Sequence, residues 1–272
     1  MKKLFLITTI LFIPVIINSC GEEEINSFWK NSPITIDGNE TDWQGKTNYF
    51  TDYKAAFGVE NDNDYLYLCL AVNDTGKVFQ LFNRGFTVWI NPDNGNEKLG
   101  ILYPIGAINS GESMPFRNQS QGGRRERPDF EKIFNEMKMK QNEIRIVNGD
   151  NFPLTSYYTN DTSVVHVDIG TQMGLLVYEL KIPLSKNITS KHNFNLKPGD
   201  ELNIGFESGD ISRENFKSSG FQMGNRNGNM PPEGGMEGRG GRMPRGGGKR
   251  GQRQHTLEKI DFEIAVKLAV PD

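Results

Sequence analysis

Alternation of apolar and polar side chains, wherever this chain is regular, constrains its fold more than any other feature. A period of two places every second residue on one face of an extended strand. In Asp64–Val72 the residues Leu66, Leu68, Leu70 and Val72 share a face, and Ile260, Phe262, Ile264, Val266 and Leu268 alternate with Asp261, Glu263, Ala265, Lys267 and Ala269. Shorter alternations run over Tyr53–Val59, Phe86–Ile90, Glu143–Val147, Val164–Ile169, Leu176–Ile182 and Leu202–Phe206. Turn chemistry separates them, as in Asn61-Asp62-Asn63, Pro92-Asp93-Asn94-Gly95 and Pro198-Gly199-Asp200. About nine such strands, with no strand–helix–strand rhythm, predict an all-β chain folded as an antiparallel β-sandwich. They argue against a parallel nucleotide-binding sheet.

One segment breaks the period. Over 128–141 the apolar residues Phe130, Ile133, Phe134 and Met137 fall at helical spacing, with Asp129 and Glu131 first and Lys138 and Lys140 last, which suits the helix dipole. The spacing predicts one short amphipathic helix within an insertion at 110–141, packed on the sandwich or offered to a partner. A second departure, 220–255, is rich in glycine and carries Arg226, Arg239, Arg242, Arg245 and Arg250 with little that is apolar beyond methionine. That composition does not repay the entropy of ordering and predicts a flexible, disordered Gly/Arg-rich loop. It serves either as a solvated spacer or as a contact for a polyanion or an envelope protein. The formal net charge of −3 argues against a surface built to grip nucleic acid.

The first residues bear on location. Lys2 and Lys3 precede the apolar run Leu4–Ile17, which is short for a bilayer core of about 30 Å. It reads as an export signal over 1–19. Cys20, following Ile17-Asn18-Ser19, resembles the acylated cysteine of a bacterial lipobox, and a plain secretory leader with an incidental cysteine is the alternative. On the first reading, lipid on Cys20 holds the protein to the outer membrane of the cell envelope. Residues 20–31, opening with Gly21-Glu22-Glu23-Glu24, form an acidic tether before a sandwich at 32–272. These glutamates resemble an export tag to the cell surface and serve equally as a solvated spacer. With only 2 Cys in the chain, Cys69 is left as a small hydrophobe inside an apolar strand.

Candidate chemistry is sparse. No Gly-x-Ser-x-Gly elbow, His-x-x-x-His or Cys-x-x-Cys spacing occurs, and the 3 His, at 166, 192 and 255, are scattered. No acidic residue stands in a recognisable catalytic frame, so the chain reads as a non-enzyme. Asp93, Asn96 and Glu97 offer oxygens suited to calcium, in a stretch that also reads as an ordinary hairpin turn. Trp89, off the Phe86–Val88–Ile90 face, and Tyr65 and Tyr67, off the Leu66–Leu68–Leu70 face, are candidates for stacking on sugar rings. Their other role is a second buried layer beneath the inserted helix.

Ile34-Thr35-Ile36-Asp37-Gly38-Asn39-Glu40-Thr41-Asp42-Trp43 resembles the opening of family 9 carbohydrate-binding modules and their DOMON-like relatives. Asn63-Asp64-Tyr65-Leu66-Tyr67-Leu68 and Gly85-Phe86-Thr87-Val88-Trp89-Ile90-Asn91-Pro92-Asp93 are similar to two later strands of that family. The resemblance covers about residues 33–93 and implies a β-sandwich that binds glycan or polysaccharide as an accessory subunit, with calcium supporting the fold. The family's sugar-stacking tryptophans do not map onto Trp29, Trp43 or Trp89. Haem-binding relatives need an axial pair from Met, His or Lys in a pocket, and of the 9 Met several sit in the Gly/Arg-rich stretch or the predicted helix. Physically, Gly38 permits a tight turn, Asp37 can accept N–H bonds within it, and Trp43 is expected to plug the end of the sandwich.

Overall fold

The computed structural model describes residues 24–93, 98–107, 129–148, 153–163, 165–172, 174–184, 194–209 and 259–271. The leader with Cys20, the candidate ligands Asn96 and Glu97, the first part of the insertion, His192, His255 and the Gly/Arg-rich loop lie outside them.

Thirteen strands are present among the described residues: β1 (Glu24–Asn26), β2 (Phe28–Trp29), β3 (Thr47–Phe50), β4 (Ala55–Asn61), β5 (Tyr65–Val72), β6 (Phe86–Pro92), β7 (Leu99–Leu102), β8 (Glu143–Asn148), β9 (Pro153–Tyr158), β10 (His166–Gln172), β11 (Leu175–Pro183), β12 (Glu201–Ser208) and β13 (Asp261–Lys267). Helix α1 (Thr75–Arg84) joins β5 to β6, and α2 (Phe130–Lys138) precedes β8. A seven-stranded sheet runs β1-β13-β12-β6-β7-β8-β9. The other sheet runs β10-β11-β5-β4-β2, with β3 beside β4.

The two sheets stack through the apolar faces that the alternation marks. Leu66, Leu68, Leu70 and Val72 of β5 and Leu176, Tyr178, Leu180 and Ile182 of β11 meet Phe86, Val88, Ile90, Ile204, Phe206 and Ile264 in one core. Each such side chain, fully buried, contributes about 1.5–3 kcal/mol relative to exposure. The sandwich is therefore as expected, with differences of detail. It is mixed rather than purely antiparallel, because β1 runs parallel to β13 and β2 parallel to β4.

Those two strands belong to Glu24–Trp29, which the sequence places in the tether. Ser27, between them, donates to Asn61 Oδ1, and both oxygens accept from the Ala269 N–H at 2.7 and 2.9 Å. The leading segment is thus stitched to both sheets and to the tail. Two or three paired residues are too few to show a period, which is why the alternation missed them.

The predicted helix is present but shorter, Phe130–Lys138, capped by Asp129. Its Phe134 and Met137 are buried. A second helix, α1, was not predicted. Asp74 caps its first turn, Gly85 ends it at φ 87°, and Val78, Leu81 and Phe82 enter the core. It packs on β11 of one sheet and β12 of the other. Phe82 meets Phe134 edge-on at 5.4 Å, so the two helices pack together. The apolar side of α2 is thereby used inside the fold.

Candidate functional site

Each sheet turns its second face outward, and a tryptophan lies on each. On the six-stranded sheet Trp43 ends a short 3-10 turn, Glu40–Trp43, and is only 1% exposed. It packs with Ile36, Tyr67, Cys69 and Val177 as a second apolar layer on the outer face, so it covers that face instead of plugging the sandwich end. The ring can lie this close because β4 has no side chain at Gly58, where a Cβ would come 2.8 Å from Trp43 Cε3.

Glu179 of β11 ties the layer down. One carboxylate oxygen accepts from the N–H groups of Asp37 (2.9 Å), Gly38 (2.6 Å) and Asn39 (3.3 Å), and the other from the Trp43 indole N–H (2.7 Å). Asp37 closes the turn by accepting from the Asn39 N–H at 3.0 Å, as its position implied. Gly38, at φ 78°, faces the Gly170 backbone so closely that a Cβ would lie 2.4 Å from Gly170 N. Burial pushes the Glu179 carboxyl above its usual range, and the four N–H donors pull it back part of the way. No motif or spacing in the sequence points to Glu179. The one available signal was a carboxylate between the apolar neighbours Tyr178 and Leu180.

Tyr65 and Tyr67 share this outer face, with ring centroids 6.3 Å apart. Tyr67 is buried and Tyr65 half-buried. The Lys181 ammonium sits 3.9 Å from the Tyr65 ring centroid and Lys30 sits 5.0 Å from that of Tyr67, whose hydroxyl donates to Asp62 at 3.1 Å. Their ring faces are covered by the protein's own lysines. His166 opposes Lys181 in register, and burial holds its imidazole below the usual value.

Trp89 lies on the other sheet, so the structure does not bring the three candidate rings together. Register sets Glu263, Gly205, Trp89, Gly100 and Val147 in one row across β13, β12, β6, β7 and β8. Glycines on both flanking strands let the indole lie down on the sheet. A Cβ at Gly100 would come 2.9 Å from its Cε3, and one at Gly205 3.2 Å from its Cβ. The indole N–H donates to Glu207 at 2.7 Å, and Lys259 donates to the other Glu207 oxygen at 2.9 Å. Lys259 also pairs with Asp261 at 3.2 Å.

Among the described residues no second apolar layer includes this ring. It borders an open groove of about 360 Å³, whose wall includes Lys98, Glu207, Asp261, Phe262 and Glu263. The Lys98 ammonium stands 5.0 Å from the indole centroid, and the ring itself is buried, only 6% exposed. An aromatic ring among ionised acceptors and donors is suited to a ligand with both apolar and hydroxylated surface. For metal the picture differs. Among the described residues no group of three His, Cys, Asp or Glu side chains is placed to hold a metal ion. Asp93 is exposed where β6 ends, so the described donors do not by themselves make a calcium site.

No family model matches the chain, nor does any curated protein. Among solved structures it is similar to a family 9 carbohydrate-binding module from Caldicellulosiruptor kristjanssonii in complex with glucose, with 14% identity over 71% of this chain and 81% of that one and a TM-score of 0.34. The same module in complex with cellotriose gives 15% identity over 71% and 80%, with a TM-score of 0.33. A Bacteroides uniformis protein gives 11% identity over 71% and 87%, with a TM-score of 0.36. These likenesses are loose. The sandwich described above rests on its own strand order and core.

Proposed function

We propose that this chain is a non-catalytic glycan-binding protein and that the Trp89 groove is its site. The observation that carries the reading is the indole set between Gly100 and Gly205, bordering a groove lined by charged groups. Binding is favoured over hydrolysis because Glu207 has both oxygens engaged and Asp261 and Glu263 are exposed, whereas glycoside cleavage wants a sheltered carboxylic acid facing a second carboxylate. The export signal and Cys20 belong to the same reading. A binding domain held by lipid to the envelope captures glycan for other proteins.

Affinity electrophoresis of the full chain through gels containing soluble polysaccharide tests the site. Trp89→Ala is expected to abolish retardation, and Tyr65→Ala, on the opposite face, to leave it unchanged. Retardation that survives Trp89→Ala and fails in Tyr65→Ala would move the site to the other sheet.

A further inference from the structure

The Trp89 groove already holds a cation. The Lys98 ammonium lies over the indole, 5.0 Å from its centroid, with no ion pair to a carboxylate among the described residues. Three carboxylates, those of Glu207, Asp261 and Glu263, share the groove with it. Glu207 and Asp261 are engaged by Lys259 at the rim. Glu263 is exposed on β13, and its carboxylate makes no hydrogen bond or ion pair among the described residues. Lys98 thus behaves as a tethered ligand, a flexible ammonium held by a ring quadrupole within an acidic wall.

Any saccharide that reaches the indole must displace that ammonium. A neutral sugar would take away the cation and leave the carboxylates less compensated. An acidic sugar would add to the negative wall. A sugar bearing a protonated amine replaces both what the ring and what the carboxylates lose. We infer that the groove selects saccharides carrying a free amine, with the indole and Glu263 receiving the ligand's ammonium and Lys98 acting as its built-in competitor. This rests on the glycan-binding reading above and names the ligand class of the same site.

Calorimetry on the full chain with short oligomers of glucosamine, N-acetylglucosamine, glucose and galacturonic acid tests it. The glucosamine oligomer is expected to bind about tenfold more tightly than the glucose oligomer, the scale of one partly desolvated cation–π contact. The N-acetylated oligomer, with the same ring and no charge, should behave like glucose. Glu263→Gln should erase the preference, and Lys98→Ala should tighten the amine-bearing ligand. Trp89→Ala must remove the preference as well, and a preference that persists in it would mean general attraction to an acidic surface and overturn the inference. Equal binding of glucosamine and glucose oligomers would overturn it and leave the glycan reading standing. Tighter binding of the galacturonate, or weaker amine binding in Lys98→Ala, would make Lys98 the recognition group and overturn it too. Failure of all four oligomers to bind would bring down the glycan reading itself.

Discussion

Trp43 and Trp89 are built alike and used differently. Each rests on the outer face of one sheet, each approaches a glycine on a neighbouring strand, and each indole N–H donates at 2.7 Å to a strand glutamate. Around Trp43 the chain folds its own opening segment over the ring, and Glu179 is 0% exposed with four N–H donors around it. Trp89 is buried too, at 6% exposed, but it borders a groove and belongs to no apolar layer among the described residues. Glu207 is half-exposed and shares its second oxygen with a lysine at the rim. The same motif is a structural lock where three backbone amides converge on the carboxylate and a groove wall where only side chains do.

The largest break in that comparison should come from removing the two glutamates. Glu179→Ala leaves a buried indole N–H and three backbone N–H groups without their acceptor. At about 1–3 kcal/mol for each buried unsatisfied group, partly relieved by entering water, a loss of at least about 3 kcal/mol is expected. Glu207→Ala leaves groups that water can reach and should cost less than about 1 kcal/mol. Urea midpoints at constant slope measure both. Equal losses would mean that the two tryptophans are held in the same way.

A smaller contrast lies in the glycines beneath the rings. Gly58→Ala would press a Cβ to 2.8 Å from Trp43 Cε3 and 3.1 Å from Lys46 O, in a layer that has nowhere to move. Overpacking of that kind costs about 1–3 kcal/mol. Gly205→Ala meets Trp89 Cβ at 3.2 Å on an open face, and the gain in strand propensity over glycine offsets the contact, so its stability change should stay within about 1 kcal/mol. The same urea titration reads both, and a loss for Gly205→Ala as large as for Gly58→Ala would show that the Trp89 face is as closely packed as the other.

The sequence carried the layers of this fold but not their neighbours. Alternation in β5, β11, β12 and β13 is clean because one face of each strand is fully buried, and a period of two is the direct imprint of that burial. Asp37-Gly38 was legible as a turn since its hydrogen bond is local. Glu179 was not, because its bond to the Asp37 N–H spans 142 residues and no spacing rule reaches that far. Alternation also placed Trp89 on an outer face, yet its platform depends on Gly205 and Gly100 coming alongside, and that requires the strand order β12-β6-β7. Helix α1 had its Asp74 cap and Gly85 stop in plain view. Only Val78, Leu81 and Phe82 supply its buried stripe, too few to compete with the strand pattern on either side.

The finest contrast between the faces is in their titration. On the Trp43 face burial sets the shifts: it lowers the His166 imidazole from 6.5, against the pull of Asp168 and with help from Lys181, and raises Glu179 from 4.5. On the Trp89 face pairing dominates, and the hydrogen bond to Glu207, with that to Asp261, pulls the Lys259 ammonium upward. Between the depressed value of His166 and 6.5 the unfolded chain binds more protons than the native one, so stability rises with pH across that window and falls as the pH drops through it. Glu179 acts oppositely: the native state holds its proton longer, and stability falls as pH rises from 4.5 to the raised value. Lys259 adds stability that is present below 10.5 and lost only as alkali titrates the folded amine. Near-neutral pH therefore reads the Trp43 face through His166, while alkali reads Lys259 on the other face together with Lys181 on the first, whose ammonium burial lowers. His166→Asn should flatten the rise of the urea midpoint with pH just below 6.5 and leave the alkaline limb untouched, whereas Lys259→Ala should do the reverse. An acid-side slope that survives His166→Asn would place the titrating group elsewhere and remove this distinction between the two faces.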